Sequence, residues 1–177
     1  MTVITQTLRI IIREFLPDEL EVYLGHFNDE RVTLHLPKRS REERTAIFNI
    51  ALNQYIDSKT SGIWGMFDNC TGHFIGSCLL RPFNNDKTIM ELGYSMEQKY
   101  WGRGLGTEMA LAIIEHGFTD PSVAEIVAVT TFENIASQRV LEKAGLIREG
   151  NLRRGEDDLA FFSLKRESRF STKIKSK

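Results

Sequence analysis

Apolar and polar residues alternate loosely over residues 8–15, a stretch rich in isoleucine, and this two-residue period predicts a first strand ended by Pro17. A short acidic helix over 18–27 follows. From Arg41 to about Ile56 the period becomes helical, with Ser40 placed to cap it and Ile47, Ile50, Ala51 and Gln54 on related faces. The Gly62 region stops that helix. Three strands are then predicted over 63–68, 73–83 and 88–96, separated by turn-rich segments at 69–72 and 84–87. Connections this short imply antiparallel hairpins.

After the hairpins the chain reads Lys99-Tyr100-Trp101-Gly102-Arg103-Gly104-Leu105-Gly106-Thr107 and enters a helix with Leu105, Met109, Ala112 and Ile113 on one face. Residues 125–131 form an apolar strand, and 134–144 a helix with Ala136, Val140 and Ala144 four apart and Gly145 just past its end. Two last strands, 147–152 and 159–165, flank a turn at 153–158. The strand–helix–strand order implies a right-handed crossover. Hairpins first and a crossover later give the fold class α+β, a mixed, mostly antiparallel twisted sheet of about seven strands flanked by helices. Residues 1–167 are expected to form one domain, and the acid-free segment 168–177, with Arg169, Lys173, Lys175 and Lys177, a mobile basic tail.

Composition narrows the class. A chain of 177 residues, 41% hydrophobic and 27% charged, suits an ordinary globular domain able to bury about 70% of its unfolded surface. A net charge of −1 argues against a nucleic-acid face. No apolar run approaches the roughly 20 residues of a membrane span, and Arg9 interrupts the most apolar early stretch, so neither a membrane nor a signal peptide is expected. Cys70 and Cys78 fit neither a redox pair nor a zinc knuckle, which makes a reducing cytoplasm the default. His26, His35, His73 and His116 lack metal-ligand spacing, and no metal is expected. Oligomeric state is not legible.

The glycines at 102, 104 and 106 open the second long helix. A backbone without Cβ atoms can approach a ligand closely, and the unpaired N–H groups of a helix start favour a phosphate; the competing reading is a tight turn and nothing more. Nucleotide fingerprints fail on spacing: GxGxxG would need glycine at Thr107 or at Met109, and the chain has no GK[ST] tripeptide.

Glu91-Leu92-Gly93-Tyr94-Ser95-Met96, followed by Tyr100-Trp101-Gly102-Arg103-Gly104-Leu105-Gly106-Thr107-Glu108, resembles the fourth strand and cofactor loop of the GNAT superfamily of N-acetyltransferases. Glu133-Asn134-Ile135-Ala136-Ser137 and Val140-Leu141-Glu142-Lys143-Ala144-Gly145-Leu146 are similar to the family's next helix. The likeness is greatest to the branch of the ribosomal-protein-alanine N-acetyltransferases (RimJ/RimL-like) and spans about residues 7–167. One position departs: Trp101 stands first in the family's Q/R-x-x-G-x-G/A pattern. The resemblance implies acetyl-CoA held where the fourth and fifth strands, 88–96 and 125–131, split apart. The amides of Trp101, Gly102, Arg103, Gly104, Leu105 and Gly106, with Thr107 beyond them, would take the pyrophosphate. Ser95 and Met96 would pair with the pantetheine arm like an added strand, Asn134 would contact it from the facing helix, and Arg103 and Arg139 would meet phosphates.

Acetyl transfer to an amine needs an uncharged nucleophile, a donor for the developing oxyanion and a proton for the departing thiolate. By resemblance a backbone N–H near Met96 serves the oxyanion, and Ser137 matches the serine of the branch's N-x-x-S motif and would protonate the thiolate; as a bare residue it is equally a polar member of a helix's first turn. Glu91, on a strand face with Gly93 and Ser95, is the candidate base, with a salt-bridged glutamate as the other reading. The stretch Leu80-Arg81-Pro82 lacks the acid that the branch carries nearby, which favours acceptors of low pKa such as α-amines near 8 over lysine near 10.4. The acceptor is expected to be a peptide N-terminus or a small-molecule amine, with Phe27, Arg31, His35, Arg39 and Arg41 on its wall. The alternative is a coenzyme A-binding regulatory or structural module without useful turnover.

Overall fold

The computed structural model describes residues 1–56 and 60–168. The tail expected over 168–177 lies, apart from Ser168, outside the described residues. One sheet of eight strands runs through the molecule, in the order β1 (Val3–Gln6), β2 (Ile10–Arg13), β3 (Gly62–Asp68), β4 (Phe74–Phe83), β5 (Asp86–Met96), β6 (Glu125–Thr131), β8 (Asp157–Lys165), β7 (Ile147–Arg154). All neighbours are antiparallel except β5 and β6.

The eighth strand comes from the amino terminus: β2 lies inside the strand predicted over 8–15, and β1, which precedes that stretch, was not expected. Thr7 makes the turn between them: the Thr7 N–H donates to the Ile10 carbonyl at 2.8 Å, and the Ile10 N–H donates to Thr7 Oγ1 at 2.9 Å. Leu8 is left at the exposed tip. The β4–β5 hairpin is tight because Asn84 and Asn85 both take positive φ, 51° and 64°, conformations that asparagine tolerates and that two-residue hairpins require.

The early helical region is more broken than its pattern suggests. Single turns at Pro17–Glu19 and His26–Asn28 flank α1 (Leu20–Gly25), and α2 (Glu30–Thr33) follows under an Asp29 cap. The next helix, α3 (Arg41–Gln54), starts in a reciprocal Ser40–Glu43 capping box, as Ser40 foretells. Its buried face carries Phe48 and Ala51, whereas Ile50 is exposed.

Helices α4 (Leu105–Gly117) and α5 (Ile135–Lys143) cover one face of the sheet. Met109, Ile113 and Ile114 of α4 and Leu141 of α5 are buried with Ile12, Trp64, Met66, Leu92, Ile126 and Phe162 from five strands. On the other face Phe15 is ringed by Tyr23, Phe48, Phe67 and Phe74 at centroid distances of 5.3–6.4 Å, which fastens α1 and α3 down. Burial of each such ring contributes roughly 2–3 kcal/mol. The two layers pin β3 and β4 from both sides, and the β5–β6 seam lies beyond them.

Candidate active site

That seam is paired only where Ile89, Met90 and Glu91 lie beside Glu125, Ile126 and Val127. Beyond it β5 runs on through 92–96 and β6 through 128–131 without pairing, so the strands part in a V. A cleft of about 60 Å³ occupies the V, lined by Gly93 and Tyr94 of β5, Val129 and Thr130 of β6, and Asn134 and Ser137 of α5. His35 closes one side, its Nδ1 at 2.8 Å from Thr131 Oγ1.

The glycine loop stands at the open end of β5. Gly102 and Gly104 have φ of 72° and 77°, and Gly104 is the cap of α4. Among the described residues the N–H groups of 102–107 donate no hydrogen bond, as the geometry of a helix start dictates, so they remain available to an anion. Arg9 steadies the loop from the β1–β2 turn: its Nη1 donates to the Arg103 carbonyl at 2.8 Å and its Nε to Glu108 Oε2 at 2.7 Å. Burial pushes the Glu108 carboxyl up, but hydrogen bonds from Thr7 and Arg9 outweigh it and hold the group below its usual range. Gly106 has another use. A Cβ there would come within 3.2 Å of Val140 Cγ2, so this glycine lets α4 and α5 pack closely. Trp101 reaches back along the strand, and its Nε1 donates to the Met96 carbonyl at 2.7 Å. Thr107 lies in the first turn of α4, and Arg103 is exposed.

Inside the cleft the Tyr94 hydroxyl donates to Ser137 Oγ at 3.3 Å. Burial lifts the Tyr94 phenol above its ordinary value, more than its bond to Ser137 lowers it. Asn134 caps α5, its Oδ1 accepting from the Ser137 N–H at 3.1 Å, which fixes where the serine stands. Ser137 was legible from its motif. Tyr94 was not singled out, although its alternation with Gly93 and Ser95 placed it on the face toward α5.

Glu91 is 6% exposed, and both its oxygens are engaged: Arg81 Nε and Nη2 donate to Oε2 at 3.1 and 3.0 Å, and Arg154 Nη1 donates to Oε1 at 2.8 Å. Ser95 turns away from the cleft. Its hydroxyl lies 2.8 Å from His26 Nε2 and 3.3 Å from Ser77 Oγ, and the Met96 side chain is buried in the core, so neither side chain reaches the cleft and Met96 can meet it only through backbone. His26 is itself buried, which, with the nearby Arg44 charge, pushes its pKa down to about 4 against the pull of Asp29. Of the expected acceptor wall, Arg31 is paired with Asp29, Arg41 with Glu21, and Phe27 lies under Arg44.

A family model, the GNAT acetyltransferase domain, matches residues 9–147. The uncharacterized protein YkkB of Bacillus subtilis is 32% identical over 58% of this chain and 60% of its own length, so the chain spans less than two thirds of that relative. The uncharacterized N-acetyltransferase YoaA of the same organism is 28% identical over 85% of this chain and 86% of its own length. Among solved structures, an aminoglycoside acetyltransferase AAC(6')-Ib in complex with coenzyme A superposes with a TM-score of 0.77 at 17% identity, over 93% of this chain and 99% of that one, a likeness of fold.

Proposed function

On the premise that this chain belongs to the GNAT acetyltransferase family, we propose that it moves the acetyl group of acetyl-CoA directly onto a primary amine within a ternary complex. The observation that carries this reading is the V between β5 and β6, with six unpaired amides, 102–107, at its mouth and the Tyr94–Ser137 pair inside. A thioester bound there supplies an acyl carbon open to attack and a thiolate to be expelled. The residues fit such a guest. The loop amides suit a pyrophosphate, and the unpaired edge of β5 suits an extended chain bearing amides.

Tyr94 and Ser137 form a two-hydroxyl relay. As the amine nitrogen bonds to the acyl carbon and the carbon–sulfur bond breaks, Ser137 hands its proton to the sulfur and is resupplied by Tyr94. The ammonium proton leaves to water, and water returns one to Tyr94. Glu91 serves structure in this reading, since Arg81 and Arg154 engage both its oxygens. The acceptor is therefore an amine already partly neutral near pH 8, an α-amine of a peptide or a small molecule, rather than a lysine side chain. Residues 1–167 act as one catalytic domain.

The test is a pair of measurements. Acetyl-CoA at about 100 times its Kd should stabilise the fold by roughly 2.7 kcal/mol, and free thiol should appear when peptides or small amines are added. Binding without thiol release across such a panel would instead establish a coenzyme A-binding module. Faster turnover on lysine side chains than on α-amines would overturn the acceptor assignment.

A further inference from the structure

We infer that Trp101 sets the register of the pantetheine arm, acting as a positioning residue that closes the free edge of β5 at Met96; this rests on the acetyl-CoA reading above. The Glu97 N–H donates to the Ile75 carbonyl of β4 at 2.9 Å. In an antiparallel pair the N–H and C=O of one residue point to the same side, and successive residues alternate. The peptide groups of Ser95 and Gly93 thus turn toward β4, while those of Tyr94 and Met96 turn toward the V.

An arm laid along that edge would find donors and acceptors at both Tyr94 and Met96 if nothing intervened. The indole of Trp101 intervenes: its Nε1 occupies one lone pair of the Met96 carbonyl at 2.7 Å. Three groups then remain wholly free for the arm, the N–H and carbonyl of Tyr94 and the N–H of Met96. An amide N–H of the arm has one unencumbered acceptor along 94–96, the Tyr94 carbonyl, which disfavours the slipped pairing. A slip of two residues would move the thioester by about 7 Å relative to Tyr94 and Ser137. The N–H of Trp101, expected to meet the pyrophosphate, is instead given to the Gln98 carbonyl at 3.0 Å, so Trp101 directly precedes the free amides of 102–107 and its side chain ties the anchoring point of the pyrophosphate to the pairing point of the arm. It is 46% exposed, on the loop surface where a bound cofactor would cover it.

The test compares two variants with two ligands. Trp101→Phe removes the indole N–H and keeps a ring; Trp101→Gln restores an N–H donor three bonds from Cβ, the same reach as Nε1. The ligands are acetyl-CoA and 3′-phosphoadenosine 5′-diphosphate, which lacks the arm. In Trp101→Phe kcat should fall about tenfold, because a slipped pairing one hydrogen bond closer in energy holds the thioester away from Tyr94 and Ser137, while acetyl-CoA and the nucleotide both bind within about twofold of wild type. Trp101→Gln should recover most of the lost kcat. An unchanged kcat in Trp101→Phe would overturn the inference. So would a loss of affinity shared by both ligands, or a Trp101→Gln variant no better than Trp101→Phe. Failure of the wild-type protein to bind acetyl-CoA overturns the underlying reading instead, and is told apart because it involves no variant.

Discussion

The hydroxyl of Tyr94, on β5, donates to the hydroxyl of Ser137, on α5, at 3.3 Å, a hydrogen bond that joins the two elements and offers a path for a proton. If that path delivers the proton to the leaving sulfur, Ser137→Ala should lower kcat by about 10², the lower end for general acid catalysis, because a thiolate leaves readily. Tyr94→Phe should lower it by less, and the double variant should be hardly worse than Ser137→Ala, since the tyrosine acts through the serine. Acetyl-CoA affinity should stay within about twofold. Fully additive losses in single-turnover rates would break the relay.

Glu91→Gln separates a structural from a chemical carboxylate. With the charge gone, Arg81 and Arg154 face each other across a buried amide, and a loss of about 2 kcal/mol is expected, discounted because both arginines are half exposed. Urea unfolding reads that loss directly. The shape of the pH dependence of kcat/KM should be unchanged; disappearance of its acid limb would restore Glu91 as the base.

Gly104→Ala should cost about 1–2 kcal/mol and weaken acetyl-CoA binding at least tenfold. The reason is conformational. A Cβ at Gly104 meets only Arg9 Nη2, at 3.6 Å, but φ is 77°, where side chains other than glycine's are strained. Gly106→Ala, at ordinary helical φ, should cost less than 1 kcal/mol, by pressing on Val140. Calorimetric titration of both variants checks the contrast, and equal losses would remove the distinction between the two glycines.

Acid should destabilise the fold through His26. Its pKa is pushed down to about 4 in the folded protein against an ordinary value of 6.5, so below pH 6.5 the unfolded chain binds a proton that the native one refuses. Stability from this residue is complete above about pH 6.5 and is lost as the pH falls toward 4, by an amount on the order of 3 kcal/mol. His26→Leu should flatten the denaturant midpoint between pH 7 and pH 4. A slope as steep as wild type would assign the acid sensitivity to other groups.

The glycine loop, the α4 and α5 helices and the parallel seam were legible because each rests on local signals: a helix start, a cap, an apolar period. Three features were not. The segment Val3–Gln6 holds only two apolar residues before Thr5, Gln6 and Thr7, and only pairing with β2 makes it a strand. Gly102, Gly104 and Gly106 look equivalent along the chain, yet two answer a backbone angle and the third a neighbouring helix. The partners of Glu91 come from a hairpin register and from an arginine 63 residues away, distances over which alternation carries no information.

Ordinary sheets hide their unpaired backbone at the outer edges, where charge or a covering loop can guard it. Here the bare edge lies in the middle, between β5 and β6, where among the described residues only the Trp101 indole is seen to guard it, at Met96. In the proposed reading the donor substrate is also the missing strand. Starved of acetyl-CoA, the protein carries an open seam that invites protease entry or capture by another chain's strand; supplied with it, the seam is sealed. Its survival in a cell would follow the supply of activated acetate, a link that protease resistance measured with and without acetyl-CoA would make visible.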